Sequence, residues 1–442
     1  MDTVTVREVA ESIRSADEWR RRAEVEVILG ICRFAEGYSV DRDELVEALV
    51  ERQIRLGGDG TPLVSEFVSL ELAGLLRCSP TVAGNRIVEA LDLKHRHPGL
   101  LAAVEAFESE PSWALRAARR CHQLSIELAD RVTDRWLTRI RGLGWTAAFN
   151  LLERLIVSTD AELAAERERR ARESRGVYVW GLDDGVMNLT GRLDATDARW
   201  FDDALSQVAA VLEAEHPGLT AEQRRAKAVG VLAHPALALA LLQRAAQPLL
   251  PLDGKPGAAP VEPCAEGRVP GHLCGRVGVP LAKLRPRARL VVHLHCDSVG
   301  SLPGTARIER AGEITTALLA ELLGDVHVTV RPVIDLPELP TEDRYVPRAG
   351  IRRAVLLAME REMFPYSNRR AAGLDLDHTV AYRPGRRGQT GLGNLAPLGR
   401  RGHRAKTMGA WRVEQPKPAC LIWMSPLKYR YEVSPSGTFM LR

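Results

Sequence analysis

The chain has no membrane-length run of apolar residues, no Cys-x-x-Cys pair and no repeat of fixed period. Each absence removes a class of protein. The longest apolar candidate, Val229 to Leu242, is interrupted by His234 and Pro235 and bounded by Arg224, Arg225, Lys227 and Arg244, so it reads as a core helix and not as a bilayer span. The first residues, Met1 to Glu8, show neither a basic n-region nor an apolar h-region, and the expectation is a cytoplasmic protein without a membrane partner. Seven scattered cysteines (Cys32, Cys78, Cys121, Cys264, Cys274, Cys296 and Cys420) are odd in number and fit reduced thiols better than a disulfide framework. The missing repeat sets solenoid-like architectures aside.

What is present points to a globular protein. With 442 residues, 45% hydrophobic and 27% charged, the chain can bury the cores of two or three domains, and general disorder is excluded. Charge is unevenly spread. From Val346 to Arg442 there are 18 Lys and Arg against 6 Asp and Glu, whereas the preceding residues carry 43 against 51. An acidic body with a basic tail suggests a polyanionic partner, nucleic acid being the commonest, against the plainer alternative of a solubilising tail.

The first 245 residues are dominated by helical periodicity. Ala23, Val25, Val27, Ile28 and Ile31 recur at helical spacing between Glu18 and Arg33, and Ser125 to Ile140 and Asp194 to Glu215 repeat the pattern. Asp160 to Arg175, rich in Ala, Glu and Arg, reads as a solvated helix supported by ion pairs. Val177 to Trp180 and Val186 to Thr190 flank an Asp184-Gly185 turn and predict a hairpin. Glu71 to Ile87 has the rhythm of a helix-turn-helix, with small Ala73 letting two helices approach, Ser79 as cap, Pro80 at the first helical position, and Val82 and Ile87 facing inward. Its outer face offers only Asn85 and Arg86, so plain helix packing is preferred to DNA reading.

Pro248 to Pro280 holds 7 Pro and 6 Gly and lacks an apolar period, which predicts a linker or long mobile loop. Its Cys264 and His272-x-Cys274 lack the fourth ligand that a metal knuckle requires. Beyond it, Arg289 to His295 and Val326 to Val333 read as strands around a helix at Thr315 to Leu323. The expected layout is a helical domain over 1–247, a Pro/Gly-rich linker or mobile loop over 248–285, a small α/β segment over 286–345 packing on the helical domain, and a C-terminal domain over 346–442. The fold class is therefore mainly α with small β elements in the N-terminal region, and α+β in the C-terminal domain.

The chemistry lies in the last hundred residues. Leu374-Asp375-Leu376-Asp377-His378-Thr379-Val380 is followed, after a loop rich in Gly, Pro and Arg, by Asn394-Leu395-Ala396-Pro397-Leu398 and then by Arg400-Arg401-Gly402-His403-Arg404-Ala405-Lys406. Hydrolysis of a phosphodiester needs a base for water, a cation against the phosphate and leaving oxygen, and something to orient the base. An Asp beside a His can supply ligand and base, a later His can complete the cation site, and an intervening Asn can tie the loop to the strand. Taken singly, each has a plainer reading: a surface turn, a cap residue, a solvated helical His. Their joint order inside a basic region favours a site.

At these residues the sequence resembles the HNH endonuclease family, and more narrowly the actinobacterial proteins in which a helical domain of unknown function precedes an HNH domain. The resemblance implies a ββα-metal fold over the C-terminal domain, with a hairpin and one helix around a divalent cation, Mg²⁺ or Mn²⁺. It implies His378 as general base, Asp377 and His403 as metal ligands, Asn394 as the residue orienting the loop and the base, and Asp375 in support behind them. Arg400, Arg401, Arg404 and Lys406 would contact DNA phosphates. The narrow resemblance runs from the first helices to Gly409-Ala410-Trp411 and the strands between Trp423 and Tyr431.

One departure is plain. Where many HNH domains carry four zinc ligands, this sequence has Glu362, Ser367, Gly399 and Gly402, and no cysteine lies between Asp297 and Ala419. No structural zinc is expected, and apolar packing by Met363, Phe364, Leu374, Leu376, Leu395, Leu398 and Trp411 would hold the domain instead. The resulting expectation is a metal-dependent endonuclease cleaving DNA. The alternatives are a nucleic-acid-binding protein with an inactive HNH fold and a helical interaction protein with a merely basic tail.

Overall fold

A computed structural model describes residues 5–40, 51–159, 161–246, 292–294, 305–308, 312–315, 319 and 339–441. Helices dominate, and the small sheets are antiparallel. The chain divides into two compact units, Met1–Glu166 with Arg331–Arg442, and Arg167–Val330.

The first unit begins with α1 (Val6–Gly37), opened by a capping box in which Thr5 and Glu8 exchange hydrogen bonds. Its buried residues, Val25, Ile28, Ile31, Cys32 and Ala35, fall on one stripe, whereas Val27, grouped with them by sequence, is 46% exposed because it lies off that stripe. Two short strands, β1 (Gln53–Arg55) and β2 (Leu63–Ser65), pair antiparallel and lead into α2 (Val68–Leu76) and α3 (Pro80–Arg96). The turn between these helices forms as expected. Arg77 takes the left-handed conformation, Ser79 Oγ accepts from the Val82 N–H, and Pro80 stands in the first turn. Ala73 and Ile87 are fully buried, but Val82 is 41% exposed. It sits in the first turn of α3, before the helix settles onto its neighbours.

The helical elements α4 (Pro98–Glu105), α5 (Pro111–Arg120), α6 (Ile126–Leu137) and α7 (Trp145–Thr159) complete this layer. Trp136 is fully buried beside Trp113 and Phe149 and donates its indole N–H to the Ala148 carbonyl at 2.7 Å. Two buried charges are paired, although Arg96 Nε has no hydrogen-bond partner among the described residues. Asp92 accepts from the Gly58 N–H at 2.7 Å and contacts His122 Nδ1 at 2.6 Å, while Arg96 donates to the His122 carbonyl at 3.0 Å and to that of Leu124. Such pairing offsets the cost of taking ions out of water.

The second unit is described by itself. After α8 (Ala161–Glu173), which crosses the boundary between the units, comes the expected hairpin: β3 (Gly176–Asp183) pairs with β4 (Val186–Arg192). Its turn residues Asp184 and Gly185 have φ of 49° and 80°, the positive pair that a tight hairpin turn requires. The helices α9 (Ala195–Val211), α10 (Ala221–Leu232) and α11 (Pro235–Ala246) pack around Val208, Leu212, Ala228 and Val231. A three-stranded sheet orders β5 (Val292–Leu294), β6 (Thr305–Ile308) and β7 (Gly312–Thr315). Thr315 thus closes a strand and does not open the helix expected there; Leu319 is helical. The expected linker, its Cys264 and His272-x-Cys274, and the strand at Val326 to Val333 lie outside the described residues.

The chain returns to the first unit with α12 (Ala349–Ala358). A two-stranded antiparallel hairpin, β8 (Asp375–His378) with β9 (Leu395–Leu398), precedes α13 (Arg400–Thr407). A four-stranded meander follows: β10 (Arg412–Lys417), β11 (Cys420–Met424), β12 (Arg430–Ser434) and β13 (Gly437–Leu441). Met363, Phe364, Leu374, Leu395, Leu398 and Trp411 are buried and Leu376 is half-buried against them. Phe364 lies 4.9 Å from both the Trp411 and Trp423 ring centroids.

These C-terminal elements share one continuous core with the helical layer. Gly74 of α2 is required at the join, since a Cβ there would meet the Tyr431 hydroxyl at 2.3 Å. Beside it, fully buried Glu71 accepts from Ser425 Oγ at 2.7 Å and from the Tyr38 hydroxyl at 3.3 Å. Among the described residues, no helix is long and apolar enough to cross a membrane.

Candidate active site

Alternation in Leu374-Asp375-Leu376-Asp377-His378 places Asp375 and Asp377 on one face of β8 and Leu376 and His378 on the other. His378 is accordingly 6% exposed. Its cross-strand partner is Leu395, and Asp377 is paired with Ala396.

The helix sorts the basic run. Positions three apart share a face of α13, so His403 and Lys406 meet the hairpin while Arg401 and Arg404 meet the helical layer. His403 Nε2 lies 3.0 Å from Asp377 Oδ1. Lys406 Nζ donates both to Asp377 Oδ2 and to the His378 carbonyl. Arg404 clasps Glu66 with Nε at 2.8 Å and Nη2 at 3.0 Å, and Arg401 Nη1 donates to Ser69 Oγ at 2.9 Å. Of the four basic side chains expected at phosphates, Arg400 alone has no hydrogen-bond or ion-pair partner among the described residues; it is exposed, as is Asp375.

The imidazole of His378 is held on several sides. Its Nε2 lies 2.8 Å from Thr390 Oγ1, and that hydroxyl donates to the Arg344 carbonyl at 2.5 Å. Since the one hydroxyl proton is committed to the carbonyl, Nε2 is the donor to Thr390 and the lone pair is on Nδ1. Tyr345 stacks on the ring with centroids 5.4 Å apart, and Tyr382 is tilted against it at 5.6 Å. Burial holds the His378 pKa below its ordinary value; Asp377 opposes this and Lys406 reinforces it. The ring is therefore neutral near pH 7.

Asn394 closes the loop between the strands. Its Oδ1 accepts from the Val380 N–H at 2.7 Å, its Nδ2 donates to the Gln389 carbonyl at 2.9 Å and the Val380 carbonyl at 3.1 Å, and its own carbonyl accepts from the Thr379 N–H at 2.8 Å. Gln415 reinforces the loop from β10, accepting from Thr379 Oγ1 at 2.8 Å and donating to the Leu392 carbonyl at 3.0 Å.

Asp377 Oδ1 and His403 Nε2 lie directly against each other at 3.0 Å, and a carboxylate oxygen with an imidazole nitrogen would fit two positions of a divalent ion whose remaining positions go to water and phosphate oxygens. Lys406 competes for the second Asp377 oxygen. Among the described residues, no group of three or more His, Cys, Asp or Glu forms a ligand cluster.

The four positions compared with zinc ligands also come together. Glu362, 7% exposed, accepts from the Gly399 N–H at 2.6 Å and from Ser367 Oγ at 2.7 Å. A Cβ on Gly399 would lie 2.8 Å from Glu362 Oε1 and 2.1 Å from Arg369 Nη1, and one on Gly402 would meet Phe364 at 3.0 Å. A carboxylate hydrogen-bond knot joins the positions.

Thr390, Tyr345, Tyr382, Gln415 and Glu66 were not legible in the sequence. None belongs to a spacing motif, and each reaches the site through a loop or another element. Only the proximity of Gln389-Thr390 to Asn394 could have drawn attention to Thr390.

The arrangement defines a mainly helical protein whose β-hairpin and following helix carry Asp377, His378 and His403, with Asn394 in the loop between the two strands. Residues 41–248 match a family model described as a domain of unknown function, DUF222. The chain is similar to the uncharacterized protein Rv3776 of Mycobacterium tuberculosis, 29% identical over 287 residues, which covers 63% of this chain and 52% of the relative. It is also similar to the uncharacterized protein Rv2100 of the same species, 29% identical over 295 residues, covering 62% and 52%. The chain thus spans about half the length of the curated relatives it matches. No solved structure matches.

Proposed function

We propose that the protein is a cytoplasmic, metal-dependent endonuclease of the HNH type that hydrolyses DNA phosphodiester bonds. The observation that carries this reading is the contact of Asp377 with His403 at 3.0 Å, one residue along β8 from a buried His378 whose lone pair is on Nδ1. The order of hairpin and helix and the basic character of the C-terminal region support it, and the odd number of scattered cysteines in the sequence suits a reducing compartment.

His378 Nδ1 takes a proton from water as that water attacks phosphorus in line. Thr390 keeps the opposite nitrogen protonated and the ring oriented, and Asn394 holds the loop that carries Thr390. Asp377 and His403 would hold the cation, Mg²⁺ or Mn²⁺, which when bound neutralises charge on the phosphate and departing oxygen. Lys406, freed from Asp377, would turn its ammonium toward a phosphate.

A second reading is a nucleic-acid-binding protein with an inactive site, favoured by one observation: Lys406 already neutralises Asp377. The two are separated by incubating the purified chain with supercoiled plasmid and Mg²⁺ or Mn²⁺ against a metal-free control. Nicked or linear product supports the nuclease. DNA binding without product under any divalent cation supports the second reading.

A further inference from the structure

A cleft of about 440 Å³ opens where the helical layer meets the hairpin and helix, away from His378 along β8. Its walls include Thr81 in the first turn of α3, Ser367, Asn368 and Arg369 of the loop before β8, and Arg400 and Arg401 in the first turn of α13. Glu362 and Asp375 are the acids in its lining. Glu362 is held by Ser367 and Gly399 and lies 3.9 Å from Arg369 Nη1, so three guanidinium groups face two carboxylates in the cleft. Neither α3 nor α13 has an acidic residue in its first turn, and α13 has no side-chain cap.

We infer that this cleft binds a phosphate of the nucleic-acid backbone, on the same strand as the phosphate at Asp377. Guanidinium forks match phosphate oxygens in geometry as well as charge, the hydroxyl of Thr81 and the amide of Asn368 add neutral donors, and the first turns of two helices bring further positive potential. Position agrees with chemistry. Asp375 in the cleft and Asp377 at the candidate centre lie on one face of β8, two residues and so ~7 Å apart along the strand. A backbone lying along that face meets both. The inference rests on the nuclease reading for the identity of its ligand, and it gives the helical layer a direct part in holding nucleic acid, through Thr81.

The test uses the full chain, a short fluorescent DNA duplex and a salt series. Thr81→Glu is the decisive variant, because an acid in the first turn of a helix favours the helix while placing a negative charge in the cleft. Arg369→Ala is the second, removing a guanidinium without adding charge. Each should weaken binding by about tenfold at low salt, and Arg369→Ala should lower the salt slope by about 1. If the unmodified chain binds the duplex and both variants bind it with unchanged affinity and slope, the cleft inference is overturned and the nuclease reading stands. If both variants lose affinity but the unmodified chain never nicks plasmid, the cleft stands and the nuclease reading falls. Saturable binding of inorganic phosphate, lost in Thr81→Glu while duplex affinity is unchanged, would make the occupant a free anion and overturn the inference. A chain that binds no DNA overturns both.

Discussion

His403 Nε2 and Asp377 Oδ1 lie 3.0 Å apart, brought together from a helix and a strand on separate segments of the chain. If they are ligands of one cation, Asp377→Ala and His403→Ala should each lower Mn²⁺ affinity by about tenfold or more in calorimetric titration. His378→Ala should keep that affinity and lose about 10²- to 10⁴-fold in plasmid cleavage. Equal Mn²⁺ affinity in all three variants would remove Asp377 and His403 from the ligand set.

Thr390 is fully buried and joins His378 to the Arg344 carbonyl. Thr390→Val keeps the shape but leaves the imidazole N–H and a carbonyl unsatisfied, at about 1–3 kcal/mol. Cleavage should fall by about tenfold or more with DNA affinity unchanged, and Thr390→Ser should restore most of it. Full activity in the valine variant would mean that His378 needs no such partner.

Asn394 spans the loop with three side-chain hydrogen bonds to backbone groups. Asn394→Ala should destabilise the protein by about 1–3 kcal/mol in denaturant unfolding and reduce cleavage less than His378→Ala does. An unchanged unfolding midpoint would show that Gln415 and the strand ladder hold the loop without it.

Glu71 links α2 to the C-terminal sheet, and burial pushes its pKa up from the ordinary 4.5 to about 7 against the opposing hydrogen bonds of Ser425, Tyr38 and the Leu427 backbone. The folded state therefore holds this proton more tightly than the unfolded state. Its contribution to stability is fully present below pH 4.5, declines between pH 4.5 and about 7, and is gone above that. Glu71→Gln should melt close to the unmodified protein at about pH 5 and several degrees higher at about pH 8. A melting difference that does not change with pH would refute the assignment.

Glu362 joins Ser367 and Gly399 where sulfur or imidazole ligands would otherwise be needed. The protein should melt at the same temperature with and without a strong chelator, and elemental analysis should find no stoichiometric zinc. Glu362→Ala should lower stability by about 1–3 kcal/mol, because the Gly399 N–H and Ser367 hydroxyl lose a buried acceptor. About one tightly held zinc per chain would contradict this.

Local chemistry was legible wherever neighbours in sequence do the work. The Ser79 cap, the Asp184-Gly185 turn and the apolar set around Phe364 and Trp411 were all readable, because caps, turns and alternation are decided within a few residues. Val82 was misread as facing inward, and Val27 was grouped with an apolar stripe it lies beside, since period alone cannot say which edge of a stripe a neighbouring element covers.

The sequence by itself, through its resemblance, determined a hairpin and a helix after it, with Asp377 and His378 on the first strand, Asn394 just before the second and His403 on the helix. Only the tertiary structure decided how the basic helix is used. Residues three apart on α13 look alike in sequence, but His403 and Lys406 face Asp377 while Arg401 and Arg404 are drawn to Ser69 and Glu66 on the helical layer, more than three hundred positions earlier. The same holds for Thr390, whose hydroxyl chooses the proton-bearing nitrogen of His378. A helix's periodicity groups its side chains into faces, but the partners of each face come from packing of distant segments, and those partners decide which charges are left for a ligand.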